Sequence, residues 1–334
     1  MTEPFKHLKS AQLTDVGCRR LRNEDALLRL PAHGVFCIAD GMGGVQGGAF
    51  ASQATVDALG EAFTDSPDAP FALTARASAR LAARALNAAS GWIKQRADAL
   101  GFAGCGSTAV VLAFDRVDPS RAAVLHAGDS RAYRLRRGEL ARLSTDHSVA
   151  AAVGLEDDRD LPAAYRGVIT RAVGLADTVA LEETCVDVQP GDLFLLCSDG
   201  LNQMVPDDLI LARLSAPPGT PLKTLARALV EEALRAGGED NVSVVLVRVA
   251  DALPAAPTQA VPSETLALEQ AGGAGEAERP AAPAPSAPAD STIRFQLPAA
   301  AVRRTASTRL LIGVAFLLAA VVIGLLLLQR SCGA

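Results

Sequence analysis

Between residue 11 and about residue 249 the chain alternates short apolar runs with Gly, Pro, Asn and Asp punctuation. Runs of that length bounded by turn residues predict strands at 34–39, 109–114, 122–126, 193–197 and 243–249. Two alanine-rich stretches, 49–63 and 71–100, repeat apolar residues at three- and four-residue steps, the period of a helix with one buried face. A further helical pair, 206–214 and 222–236, precedes the last strand.

The pattern stops after Ala250. Ala, Pro, Gly and Glu dominate the next stretch, which buries too little apolar surface to order itself, so 251–308 reads as a flexible linker. A run without charge, 310–328, follows; at about 1.5 Å per residue it is long enough to cross a bilayer core, and 309–329 is expected to be a transmembrane helix with a short tail at 330–334. Arg303, Arg304 and Arg309 precede this span and Arg330 alone follows it. That bias predicts a single-pass inner-membrane protein whose domain at 1–250 faces the cytosol. The polar segment 1–17 has no apolar stretch of the kind a secretory signal needs, which agrees.

Composition narrows the partners. With 334 residues, 49% apolar, the chain carries a sizeable core, and a formal charge of −5 offers no general attraction to nucleic acid. Six cysteines without paired spacing and four histidines assemble no zinc pattern. The cysteines are expected to be mostly buried and reduced.

The chemistry lies at the ends of apolar runs. VFCIADG and LFLLCSDG each end in Asp-Gly, at Asp40-Gly41 and Asp199-Gly200. VLHAGD ends in Gly128-Asp129, and Asp240 comes just before the last strand. If neighbouring strands are antiparallel, these ends and starts share one sheet edge and the carboxylates meet there. Carboxylates in one pocket repel, and hard oxygen ligands relieve that repulsion best with magnesium or manganese.

Motifs that recur in order carry a resemblance: Arg20-Leu-Arg-Asn-Glu24-Asp25, Asp40-Gly-Met-Gly-Gly44, Gly106-Ser-Thr-Ala109 and Gly128-Asp-Ser-Arg-Ala-Tyr133. Asp146-His-Ser148, Ile169-Thr-Arg-Ala-Val-Gly174, Ser198-Asp-Gly-Leu201 and Asp240-Asn-Val-Ser243 continue it. Over residues 11 to 249 the sequence resembles the metal-dependent protein phosphatases of type 2C. The resemblance implies an α+β fold, a four-layer α-β-β-α sandwich of two antiparallel sheets flanked by helices, to which the transmembrane helix is added. It also implies two ions, Mn2+ or Mg2+. Asp40 would bridge them, the Gly41 carbonyl, Asp199 and Asp240 would complete the set, and Asp129 would hold a third, weaker ion.

By the same resemblance, Arg20 receives the phosphate, where a planar fork of donors suits two of its oxygens, with Arg19 and Arg22 of the same RRLR run as the alternatives. Glu24 and Asp25 orient metal-bound waters. A water acidified by the metals would attack phosphorus directly, with no nucleophilic side chain. Two departures stand out: Met42 occupies a position where some members carry a histidine, which leaves the general acid unassigned, and the flap at 149–168 is a few residues short. His147 is expected to be structural.

The function implied is hydrolysis of phosphoserine and phosphothreonine on proteins, opposing a serine/threonine kinase in bacterial signalling. A tether of this kind keeps the domain within some tens of ångströms of the membrane and concentrates it on substrates there. Two alternatives are a catalytically silent phosphatase-like scaffold binding phosphoproteins at the membrane, and a metallohydrolase of small phosphate esters.

Overall fold

Strands buried on both faces should put alternate residues into two different cores, and several strands of this chain do so. In the computed structural model, which describes residues 5–254 apart from 66–73, 103, 156–159 and 218, eleven strands make two antiparallel sheets. The first sheet is built of β1 (Leu8–Asp15), β11 (Val242–Val249), β10 (Leu193–Cys197), β7 (Arg131–Arg136) and β8 (Glu139–Arg142), in that order. The second runs β2 (Asp25–Leu30), β3 (Val35–Met42), β5 (Ala109–Phe114), β6 (Arg121–Ala127) and β9 (Glu182–Asp187), with the short β4 (Gly106–Ser107) paired to β3.

Phe36 and Ile38 of β3, with Val110, Leu112 and Phe114 of β5, face inward and meet Phe194, Leu196, Val245 and Val247 from the first sheet. Phe114 stands edge-on to both Phe36 and Phe194, with ring centroids 6.2 and 5.5 Å apart, so one aromatic row locks the sheets together. The alternate residues Val35, Cys37, Ala39, Val111 and Ala113 face outward onto α1 (Gly44–Thr64) and α2 (Ala75–Leu100). On the other side Leu195, Cys197, Val244 and Leu246 pack against α5 (Asp207–Leu214) and α6 (Leu222–Arg235). The order helix, sheet, sheet, helix is the expected sandwich.

The helices end where their sequences direct. Thr74 caps α2 by accepting the Ala77 N–H at 3.1 Å, and Gly101 closes it with φ +74°. The first helix starts five residues before the expected 49, because Gly44, Gly47 and Gly48 mask its opening turn; α2 starts at Ala75 rather than 71, and 71–73 lie outside the described residues. Cys37, Cys105 and Cys197 are buried as expected, whereas Cys18 and Cys185 are exposed.

Two short helices, α3 (Val149–Ala152) and α4 (Asp199–Asn202), sit on loops. The first opens the flap, whose base is pinned where Val149 N–H donates to Val168 O at 2.9 Å. The expected linker from 255 onward, the span at 309–329 and the tail lie outside the described residues. No helix among the described residues is long and apolar enough to cross a membrane.

Candidate metal centre

Antiparallel pairing of β2 with β3 sets Asp25 directly opposite Asp40. Asp40 is held through its backbone: its N–H donates to Thr108 Oγ1 at 3.0 Å and its carbonyl accepts from the Thr108 N–H at 2.8 Å. Thr108 Oγ1 lies 2.7 Å from Ser130 Oγ, which fastens the turn carrying Asp129 to the same place. From the facing sheet, Asp199 opens α4 directly after β10, and Asp240 stands two residues before β11. Ser198 joins the two groups: its hydroxyl donates to Asp25 Oδ2 at 2.8 Å and accepts the Ser243 N–H at 3.0 Å.

The carboxylates therefore meet, though not along one sheet edge. Asp25 and Asp40 belong to one sheet and Asp199 and Asp240 flank strands of the other, so the meeting place is the shared end of the sandwich. Stacked sheets bring strand ends of both layers together, a contact that pairing within one sheet does not foresee.

Crowding shows in the electrostatics. Burial drives Asp40 well above the ordinary carboxylate range, and the charges of Asp25, Asp199, Asp129 and Asp240 add to it. Burial likewise pushes Asp25 up to about 7. Asp199 rises to about 7 by burial and then by Asp240 and Asp25, and Asp129 to about 8 by burial and then by Asp199 and Asp146. Burial also raises Glu24, against the pull of Arg20.

Asp40 is within hydrogen-bonding reach of both Asp25 and Asp199, yet Asp25 Oδ1 and Asp199 Oδ1 are buried without any hydrogen-bond partner. Orphaned carboxylate oxygens facing other carboxylates need protons or cations. The donor set is all oxygen, and it fits Mg2+ or Mn2+.

Gly41 and Gly48 explain how the backbone reaches this centre. A Cβ on Gly41 would lie 2.1 Å from the Gly48 carbonyl oxygen, and one on Gly48 would lie 2.8 Å from Glu24 Oε2. Only hydrogen at both positions lets β3 and the start of α1 close on Glu24. The Gly41 N–H donates to the Glu24 carbonyl at 3.1 Å, so the expected ligand and the expected water-orienting acid are one unit.

Arg20 is half exposed and its Nη2 donates to Asp240 Oδ2 at 2.5 Å, which places its guanidinium at the rim of the carboxylate group. The neighbouring Arg19 and Arg22 are exposed. Met42 approaches Gly106, where Leu175 also lies, and adds no titratable group.

His147 is buried; its Nδ1 accepts from the Gly128 N–H at 3.3 Å and its Nε2 lies 3.2 Å from Glu182 Oε2. It supports the turn before Asp129, the structural part expected of it. His126, His147 and Glu182 bring three ligand-type atoms within 4.8 Å of one another. The two rings stack at 4.6 Å with 10° between planes, so their in-plane lone pairs run side by side instead of converging, and Arg171 Nη1 already lies 3.1 Å from His147 Nε2. The carboxylate group is the better cation site.

The supports of the centre, Thr108, Ser130, Ser198 and Ser243, lie inside the recurring motifs, but the sequence alone assigns them no part; a small hydroxyl residue beside an Asp does not show which group it will hold.

Comparison with known proteins supplies the context. The protein phosphatase 2C family signature matches residues 19–234. The serine/threonine protein phosphatase PstP of Mycobacterium tuberculosis is 33% identical over 249 residues, 73% of this chain and 45% of PstP. The chain thus matches about half the length of that relative. Among solved structures, PppA, described as a key regulatory component of T6SS in Pseudomonas aeruginosa, is 36% identical with a TM-score of 0.64, covering 72% of this chain and 97% of PppA. The catalytic domain of PstP in complex with two manganese ions is 32% identical with a TM-score of 0.60, covering 73% of this chain and 99% of that one. The order of the motifs, the paired sheets and the gathered carboxylates have one common source: the chain belongs to the protein phosphatase 2C family.

Proposed function

We propose that the chain is a metal-dependent phosphatase of phosphoserine and phosphothreonine on proteins. One observation carries the reading: the charges of Asp25, Asp199, Asp129 and Asp240 all act on the buried Asp40, and the buried Oδ1 atoms of Asp25 and Asp199 are unpartnered. Asp40, the Gly41 carbonyl, Asp199 and Asp240 would hold two ions, and Asp129 a third. Bound there, the ions supply a hydroxide nucleophile at neutral pH by acidifying water.

The chain's own groups then have distinct parts. Arg20, reaching inward from the rim, exchanges its contact with Asp240 for two oxygens of the phosphoryl group. Glu24 and Asp25, fixed by the Gly41 N–H and by Ser198, orient water against the carboxylates. Met42 has no proton to give the leaving oxygen. The exposed Val153, Tyr165 and Val168 of the flap offer apolar contact to a polypeptide, which favours a protein substrate over a small ester.

The test is phosphate release from a phosphothreonine peptide by the full chain, with Mn2+ and with a chelator, beside free phosphoserine. Release from the peptide that the chelator abolishes is expected. Equal release with and without chelator would sink the metal mechanism, and peptide binding without release would leave a phosphoprotein scaffold.

We further place the domain on a leash at the cytosolic face of the inner membrane, held by 309–329, where it opposes a serine/threonine kinase. The support is the uncharged run at 310–328, the arginines before it and the Ala/Pro/Gly-rich stretch preceding it. The regulatory part ascribed to PppA makes control of a secretion machine one setting for such a pair. Protease added to intact spheroplasts is expected to spare the domain and to degrade it once they are lysed; degradation before lysis contradicts this orientation.

A further inference from the structure

Arg20 stands on a connection, residues 16–24, that gives almost nothing to a core. Val16 is 37% exposed and Leu21 99%, and the residues from Cys18 to Arg22 are all exposed. Apolar burial therefore does not fix this loop, and polar contacts must. Near its start, Gly17 N–H donates to Asp15 Oδ1 at 2.9 Å and Cys18 N–H to the Gly238 carbonyl at 2.7 Å.

A single side chain spans both ends. Asn241, 4% exposed, donates from Nδ2 to the Val16 carbonyl at 2.9 Å and to the Arg22 carbonyl at 2.9 Å, and its Oδ1 accepts the Glu24 N–H at 2.8 Å. Both amide protons are used, and each goes to loop backbone.

The root of this side chain is equally fixed. Its own N–H donates to Asp240 Oδ1 at 2.7 Å, and its carbonyl oxygen lies against Gly200, where a Cβ would come within 2.1 Å. The amide is thus built against the turn that carries Asp199 and spends its hydrogen bonds on the backbone of the loop bearing Arg20. No other side chain replaces it. Aspartate has its shape but would set acceptors against two carbonyl oxygens, and alanine would leave two carbonyls and one N–H unpaired.

We propose that Asn241 is the positioning residue that closes loop 16–24 and delivers the Arg20 guanidinium to the phosphoryl group. Binding of the phosphorylated substrate then depends on a side chain directed at backbone. This rests on the phosphatase reading above.

The experiment is a double-mutant cycle on the Mn2+-loaded full chain: wild type, Asn241→Ala, Arg20→Ala and both together, assayed on a phosphothreonine peptide, with Mn2+ affinity by calorimetry. Asn241→Ala is expected to raise KM about tenfold or more, to lower kcat less, and to change Mn2+ affinity less than about threefold. In the Arg20→Ala background the same substitution should change KM by less than about twofold, since its effect passes through Arg20. Asn241→Asp should behave like Asn241→Ala despite keeping the shape.

Additive effects, or Mn2+ affinity falling in step with activity, would overturn the proposal. Hydrogen exchange on the unmutated chain decides it if the variants do not fold. The Glu24 amide, bonded to Asn241 Oδ1, should exchange as slowly as those of β2, and exchange at the rate of an open loop overturns the clamp. A wild-type chain that releases no phosphate defeats the phosphatase reading alone, and the exchange result still judges the clamp.

Discussion

Asp40→Ala is expected to lower Mn2+-dependent phosphate release by about a thousandfold or more, roughly 4 kcal/mol in the barrier, and at the same time to make the metal-free protein more stable. The two effects have one cause. Asp40 is within reach of Asp25 and Asp199, is fully buried and feels the charges of four other carboxylates, so it is the natural bridge for cations and, without them, a group whose ionisation burial and its neighbours oppose. Alanine removes the bridge and the repulsion together. The strand should survive, because the links from Asp40 to Thr108 on the neighbouring segment use its backbone N–H and carbonyl.

Stability gained where function is lost marks a site assembled against its own electrostatics. Phosphate release and melting temperature in chelator, measured on the same preparations, check both halves. Retained activity would remove Asp40 from the mechanism. A lower melting temperature in chelator would show that its carboxyl stabilises the metal-free fold.

Which parts of this centre were legible in the sequence follows from where the side chains lie. Strands β5 and β10 are buried on both faces, so their sequences, AVVLAF and LFLLC, read as unbroken apolar runs and their observed bounds match those expected. The outer strands β1, β8 and β9 put one face in water, and LKSAQLTD, ELAR and EETCVD look like ordinary polar connections. Strand β2 was missed for a related reason: it is short and carries Asp25 and Arg29.

Asp-Gly after an apolar run was visible because a strand must end somewhere and the glycine marks the turn. Their meeting was foreseen within one sheet, whereas it takes place between two, since stacking of layers leaves no local trace in the sequence. Arg20 and Asp240, 220 residues apart, have their contact decided by that same stacking. The hydroxyls of Thr108 and Ser198 stand in recurring motifs, yet their part as supports is not legible there, because one small polar residue has no period and buried polar partners become evident only when the groups they satisfy are in place.

Metal-free protein is expected to lose stability as pH rises from about 6 to about 8.5, the reverse of ordinary acid sensitivity. Burial, then neighbouring charge, sets Asp199 at about 7 and Asp129 at about 8, and Asp25 also stands at about 7 chiefly by burial. An unfolded aspartate titrates near 4. The folded pKa is thus the higher one, so these groups contribute fully below about 4, and the contribution is lost as pH rises through 7 to 8. Between those limits the folded state binds more protons than the unfolded, and each such group costs up to about 1.4 kcal/mol per pH unit.

Asp118 and Asp187, held low by hydrogen bonds from Ser120 and Arg136, act in the opposite sense, but only below about pH 4, outside this window. For a domain of this size a drop of about 5 °C or more is expected in chelator. Saturating Mn2+ replaces the protons as the counter-charge and should flatten or invert the slope, because ligation requires the ionised carboxylates. Melting curves at pH 6, 7 and 8.5, with chelator and with Mn2+, separate the cases. A melting temperature in chelator that stays level or climbs over this range would mean that the carboxylates ionise without penalty, and that the cations are not what the gathered charges require.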